Sequence, residues 1–327
     1  MKQRKLGQDG PNVSELALGC MGMSAIYQAA DQKECEVTLR TAVEGGVTLF
    51  DTADMYGDGK NEELLARVLK PFRGRVLLST KFGNLRKSDG TRTVNGRPDY
   101  VRQACDASLA RLKTDALDLY FLHRVDPDVP IEDTVGAMSE LVVAGKVRYI
   151  GLSEASPSTL RRAHAIHPIS ALQTEYSLFS REPAEENLKT ARELGVGFIA
   201  YSPLGRGILS GRFRTKTDFG QGDFRPNMPR FQGSNLERNV SLVDALEKLA
   251  QTKDCSVPQL ALAWLLSRGD DIVPLFGTAN SERLSHNLAS ADVQLTEDEL
   301  QKIETIVPRS AVAGDRYHAS GMSAVNL

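Results

Sequence analysis

Eight short apolar runs, each followed by a polar turn and a helical stretch, constrain this chain more than any other feature. The runs lie at 14–18, 47–50, 76–79, 117–122, 147–152, 169–173, 196–200 and 271–275. Stretches with apolar residues at helical spacing fall between and after them, at 33–44, 62–69, 100–112, 134–143, 159–166, 184–194, 236–250 and 283–290. A strand with a parallel neighbour needs a crossover, and a helix of about 10–15 residues is the usual one. Eight such units in 327 residues favour an α/β fold of the closed (β/α)8 TIM-barrel type over an open doubly wound sheet, since such barrels take about 250 residues. No linker or low-complexity tract divides the chain, so 1–327 reads as one domain.

Three segments stand outside the repeat. Residues 7–12 read as the turn of a short β-hairpin that plugs the bottom of the barrel. Residues 203–234 are too long for a plain connector, and long irregular loops in compact domains are functional or disordered. Phe213, Phe219, Phe224 and Phe231 within that loop favour packing over disorder. The tail, 310–327, reads as a lid or a disordered end.

Charge and cysteine content exclude several classes of partner. Lys and Arg number 40 against 42 Asp and Glu, a net charge of −2 with no basic run. That gives no electrostatic footing for nucleic acid or an anionic membrane. No stretch reaches the roughly 20 apolar residues of a membrane span, and the basic start is followed by polar sequence rather than a signal-peptide core. Cys20, Cys35, Cys105 and Cys255 show neither CxxC nor metal-ligand spacing. They fit the reduced thiols of a cytoplasmic protein with no metal site.

In a barrel of this kind the active site gathers where strands end and βα loops begin. The ends of the runs carry Asp51 with Tyr56 in its loop, then Lys81, His123, Ser153 with Glu154, Gln173, and Tyr201 with Ser202. Each alone has an ordinary reading: Asp51 as a turn or cap residue, Tyr56 as a loop aromatic, Lys81 as a solvated strand end, His123 as a structural histidine. Convergence changes the weighing, because four titratable groups at neighbouring strand ends point into one mouth. A free phenol, with a pKa of about 10, donates its proton poorly at neutral pH, and a neighbouring ammonium stabilises the phenolate. Asp51 would keep Lys81 charged and in place. Such a relay beside a histidine suits protonation of an oxyanion as it forms, as when hydride adds to a carbonyl.

The segments GVTLFDTADMYG at 46–57, Asn61 with Glu62, STK at 79–81 and DLYFLH at 118–123 resemble the aldo-keto reductases in order and spacing. The resemblance runs from Leu16 to about Val307. GCMGMS at 19–24, GLSEAS at 151–156 and FRPNMPRF at 224–231 are similar to a bacterial and plant branch acting on diverse aldehydes, ketones and quinones. The resemblance implies an NADPH-dependent oxidoreductase that reduces an aldehyde or ketone, with NADH as a weaker alternative. Tyr56 is then the general acid, Lys81 and Asp51 tune it, and His123 orients the carbonyl.

The same resemblance distributes the cofactor. Tyr201 stacks on the nicotinamide. Asp51, Ser153, Glu154 and Gln173 lie about its carboxamide, with Gly19, Cys20 and Met21 beside them. Ser202, Pro203, Leu204, Gly205, Arg206 and Gly207 wrap the pyrophosphate, and Gly277, Thr278, Arg283 and Asn287 hold the adenosine end. Met23, Tyr27 and Met55, with Tyr56 and His123, line the substrate pocket. Three departures stand out. Glu154 replaces a common Asn, and an ionised carboxylate only accepts hydrogen bonds. Ala279 replaces a usual basic residue and His286 a usual Glu, which leaves the 2′-phosphate to Arg283 with Ser281 as helper. Two other functions remain open on the residues: a nicotinamide-sensing regulatory subunit, and an aldolase-type barrel with a Schiff base on Lys81.

Overall fold

The computed structural model describes residues 1–24, 30–86 and 91–327. A hairpin comes first, β1 (Gln3–Lys5) antiparallel to β2 (Asn12–Ser14). Strand β3 (Ala17–Gly19) leads to α1 (Gln32–Glu44), and β4 (Leu49–Asp51) leads to α2 (Lys60–Leu69). Strand β5 (Leu77–Phe82) leads through a second hairpin, β6 (Asn84–Arg86) and β7 (Arg92–Val94), to α3 (Pro98–Leu112). The alternation continues with β8 (Leu117–Leu122), α4 (Ile131–Val143), β9 (Val147–Ser153), α5 (Pro157–Ile166), β10 (Ala171–Glu175), α6 (Ala184–Leu194) and β11 (Gly197–Tyr201). Two helices, α7 (Gly233–Gln251) and α8 (Val257–Leu266), precede β12 (Ile272–Gly277). The chain finishes with α9 (Ser281–Leu288), α10 (Glu297–Ile306) and the single turn α11 (Ala319–Met322). Strands β3, β4, β5, β8, β9, β10, β11 and β12 pair in that order, all parallel, and β12 closes on β3.

All eight apolar runs of the sequence overlap the eight barrel strands. Period two then sorts each strand into an inner and an outer row. Leu49, Leu119, Phe121, Ala171, Ile199, Val273 and Leu275 fill the inside of the barrel. Phe50, Leu78, Tyr120, Leu122, Leu152, Leu172, Phe198 and Phe276 face outward beneath the helices. Gly151 has a packing reason: a Cβ there would lie 2.2 Å from the Phe121 ring, so only glycine lets Phe121 fill the barrel's interior. Following the inner rows toward the C-terminal ends, the next positions are Asp51, Lys81, His123, Ser153, Gln173 and Tyr201. The same alternation that packs the core therefore delivers polar groups to one mouth.

At the opposite end the hairpin closes the barrel as the sequence leads one to expect. Leu6 and Val13 join the interior cluster. Arg4 reaches across the base and donates to the carbonyls of Leu266, Gly269 and Ile272 at 3.0, 2.7 and 2.5 Å. Among the described residues no helix is long and apolar enough to cross a membrane.

Helices begin where cap chemistry allows. Asp31, Ser156, Ser256, Asn280 and Thr296 each accept an N-terminal backbone N–H, satisfying a donor the helix cannot. Two features lie outside the helical stretches read from periodicity. Helix α8, VPQLALAWLL, is buried from Leu260 to Leu265 and carries one polar side chain, Gln259, in its first turn, so it has no polar face to mark a period. Helix α10 follows the last crossover and belongs to no βα unit. The 203–234 loop is packed, not disordered: Phe213 stacks on Phe219 at 4.7 Å, Phe219 meets Phe231 edge-on at 5.6 Å, and the Arg225 guanidinium lies 4.1 Å over Phe213.

Candidate active site

Asp51, Tyr56, Lys81 and His123 meet at the C-terminal mouth, all buried. Lys81 Nζ pairs with Asp51 Oδ1 and donates to the Thr52 carbonyl at 2.7 Å. The second Asp51 oxygen accepts from Ser79 Oγ at 2.7 Å and from Gln173 Nε2 at 3.1 Å. The Lys81 ammonium lies 5.2 Å from the centroid of the Tyr56 ring, and the His123 ring meets Tyr56 edge-on at 5.9 Å. Burial lowers the Lys81 pKa while Asp51 acts to keep it charged. Tyr56 is pushed far up, first by burial and then by Asp51, with Arg124 opposing.

The loop that carries Tyr56 is fixed from behind by the next two signature residues. Asn61, fully buried, accepts from Thr52 Oγ1 at 2.6 Å and donates to the Cys20 carbonyl at 2.9 Å. Glu62 accepts from Thr80 Oγ1 at 2.6 Å and from Arg111 Nε at 2.5 Å. These two carry no reaction chemistry; they tie β3, β4, β5 and α3 to the tyrosine loop.

Several expected contacts are placed otherwise. Glu154 does not await a carboxamide: Arg316 of the tail binds it through two N–H groups, at 2.9 and 3.1 Å, and the Glu175 backbone N–H donates to it at 3.0 Å. The guanidinium fork of Arg316 thus occupies both Glu154 oxygens. Cys20 turns its side chain into the outer core, and its backbone N–H and carbonyl are taken by Asp51 and Asn61. Met23, 1% exposed, also packs in that core rather than lining a pocket. The N–H groups of Gly205 and Gly207 bond the carbonyls of Ser202 and Leu204, which makes the loop turn instead of offering donors. Ser281, through its backbone N–H and its hydroxyl, bonds Glu34 Oε1 at 2.7 and 2.8 Å. Tyr27 lies outside the described residues. Met55 and Met21 are half-buried at the mouth.

The tail closes over one side of the mouth, which the sequence left as lid or disorder. Tyr317 shares a hydroxyl–hydroxyl bond of 3.0 Å with Tyr201, and Arg206 stacks 4.3 Å over its ring. Arg206 itself pairs with Glu175 at 2.6 Å, and Arg230 shares that carboxylate at 3.4 Å. Burial works against the Glu175 charge, but Arg206, Arg230 and Arg316 outweigh it and hold its pKa low. Asn326 and Leu327 continue the contact, bonding the Glu154 carbonyl and the Ser156 N–H at 2.8 and 2.7 Å.

Gly19, Gly277, Arg212 and Arg283 are residues that could hold a dinucleotide. Gly19 and Gly277 are register partners at the junction of β3 and β12, where the backbone comes close to the mouth with no side chain in the way. Arg212, which sequence reading missed, is held below its ordinary pKa by burial and by the nearby Arg283 and Arg225. Among the described residues neither Arg212 nor Arg283 is paired with a carboxylate, so two neighbouring cations are available to phosphate.

A (β/α)8 barrel with titratable side chains at its strand ends belongs to the broad class of barrel enzymes. Residues 15–308 match the aldo/keto reductase family. Among solved structures, a glycerol dehydrogenase of Gluconobacter oxydans is 27% identical, with a TM-score of 0.86 over 94% of this chain and 95% of that one. An aldo-keto reductase of Bacillus halodurans, in its holo form, is 28% identical, with a TM-score of 0.75 over 95% of this chain and 97% of that one. The chain belongs to the aldo/keto reductase family and is an oxidoreductase of the alcohol–carbonyl couple. The family works with NAD(P)H on small carbonyl compounds.

Proposed function

We propose that this chain reduces an aldehyde or ketone with NADPH, using Tyr56 as the proton donor. The observation that carries the reading is the meeting of Tyr56, Lys81, Asp51 and His123 in one buried mouth. When bound, the nicotinamide cofactor supplies the hydride. Tyr201 provides a flat face for the ring, Ser153 and Gln173 provide polar groups near it, and Arg212 and Arg283 hold the phosphates at the far end. His123 positions the carbonyl oxygen against the Tyr56 hydroxyl, which gives up its proton as charge develops there. Asp51 and Lys81 fix the phenol and keep water out of its inner side. A Lys81 Schiff base is disfavoured by the same geometry, because its Nζ is directed into Asp51 and Thr52 rather than into the mouth.

The likeness to the Gluconobacter glycerol dehydrogenase favours a second direction for the same chemistry, oxidation of a polyol. The deciding experiment is a panel of aldehydes, ketones, quinones and polyols assayed with NADPH, NADH and their oxidised forms. Tyr56→Phe should lower turnover by about 10²–10⁴-fold while NADPH still quenches Trp264 fluorescence on binding. Near-normal turnover in that variant would remove Tyr56 from the chemistry.

A further inference from the structure

Strand alternation brings Ser153 and Tyr201 to the mouth as the last residues of β9 and β11. Arg124, just past the end of β8, lays its guanidinium between them. Its Nη1 donates to Ser153 Oγ at 3.1 Å and to the backbone carbonyl of His123 at 2.7 Å. Its Nη2 reaches the Tyr317 hydroxyl at 3.5 Å, and that hydroxyl is 3.0 Å from the hydroxyl of Tyr201. The side chain is thus held by three neutral oxygens over the mouth, half-buried, next to the histidine whose ring meets Tyr56.

None of those oxygens balances its charge, and the carboxylates around the mouth are already engaged. Arg316 takes both oxygens of Glu154, Arg206 and Arg230 share Glu175, and Asp51 pairs with Lys81. Among the described residues Arg124 forms no ion pair. A guanidinium drawn partly out of water without a counter-charge costs stability. Its hydrogen bonding is incomplete as well. Among the described residues Nε has no acceptor, and Nη2 has only the long contact to Tyr317. Nε and Nη2 share one edge of the guanidinium plane, and such an edge presents two parallel N–H groups to the two oxygens of a carboxylate.

We propose that Arg124 is a substrate anchor: it binds a carboxylate carried by the carbonyl compound, so that aldehyde acids and keto acids are the preferred substrate class. The inference rests on the reductase reading given above. The carbonyl oxygen goes to Tyr56 and His123, and the carboxylate lies along the open Nε–Nη2 edge of the guanidinium beside them. One uncompensated cation matches the single charge of a carboxylate better than the charge of about −1.5 to −2 on a phosphate ester. The Tyr317 hydroxyl stands at the same place and adds a neutral donor. In the oxidative direction the anchor takes the corresponding hydroxy acid. A neutral polyol leaves the cation without its partner, which separates this specificity from that of a glycerol-type substrate.

Formylbenzoate and levulinate, each assayed with NADPH beside its methyl ester, test the assignment. Each acid should exceed its ester in kcat/KM by about 10- to 100-fold, chiefly through KM, and the margin should shrink as salt is raised. Arg124→Gln should bring the acid-to-ester ratio close to one. Arg124→Lys keeps the charge but loses the fork, and should retain part of the preference. A cation that only ties His123, Ser153 and Tyr317 together would, once replaced, slow acid and ester alike, so an unchanged ratio in Arg124→Gln overturns the proposal. Equal turnover of acid and ester by the unaltered protein overturns it too, and the reductase reading survives both results. If thermal unfolding shows that Arg124→Gln does not fold, the acid–ester ratio of the unaltered protein and its salt dependence decide alone. Turnover of other carbonyls but of neither acid also overturns the anchor, whereas no turnover of any carbonyl removes the reductase reading with it.

Discussion

Asp54 precedes Tyr56 by two residues and is governed by what surrounds it. Burial and the Glu62 charge push its carboxyl up to about 7, against the pull of the Met55 N–H, Arg111 and Lys81. One of its oxygens is buried with no hydrogen-bond partner. An unfolded aspartate ionises near a pKa of about 3.9, so between about pH 4 and 7 the folded protein holds a proton that the unfolded chain has released. Stability therefore falls as pH rises through that window and levels off above it. Asp54→Asn, neutral throughout, should match the unaltered protein in urea unfolding at pH 4 and exceed it by about 2 kcal/mol at pH 8, allowing for partial solvent screening. A gap that does not change with pH would show that Asp54 is not the group responsible. At this scale, the residues legible in the sequence were those set by strand alternation: Asp51, Lys81, His123 and Gln173 end inner rows, and Tyr56 follows in a marked loop.

The tail and helix α8 show the same boundary one level up. Glu154 was readable as a departure but not as a partner of Arg316, because the two stand 162 positions apart and only docking of the tail brings them together. Replacing Arg316 by Met should leave a buried carboxylate uncompensated and cost about 3–5 kcal/mol in urea unfolding. Adding Glu154→Gln should recover most of the loss, since a buried amide needs no counter-charge. Equal losses in the single and double variants would mean that the pair is not coupled. Helix α8 was hidden for the opposite reason: its sequence is apolar apart from the capping residue Gln259, and periodicity reports a helix only when one side meets water. The β6–β7 hairpin escaped as well, for its strands span three residues each and show no sustained alternation.

Across the whole molecule, chemistry and mechanical closure lie at opposite ends of the barrel. Arg4 holds three carbonyls at the base, far along the strands from Tyr56. Arg4→Ala should cost about 2–3 kcal/mol of unfolding free energy, from charged hydrogen bonds lost and acceptors left unmet, with kcat on the best carbonyl substrate unchanged. A parallel fall in kcat would show that the two ends are coupled through the strands. Closure of the barrel also governs how one copy of this protein meets another. Each of the eight barrel strands has neighbours on both sides, and among the described residues the exposed sheet edges belong to two hairpins of three-residue strands. Edges that short are poor templates for a strand from another chain. Runaway β-stacking between folded molecules has little to start from, and a self-association that forms at all must be built from helices and loops.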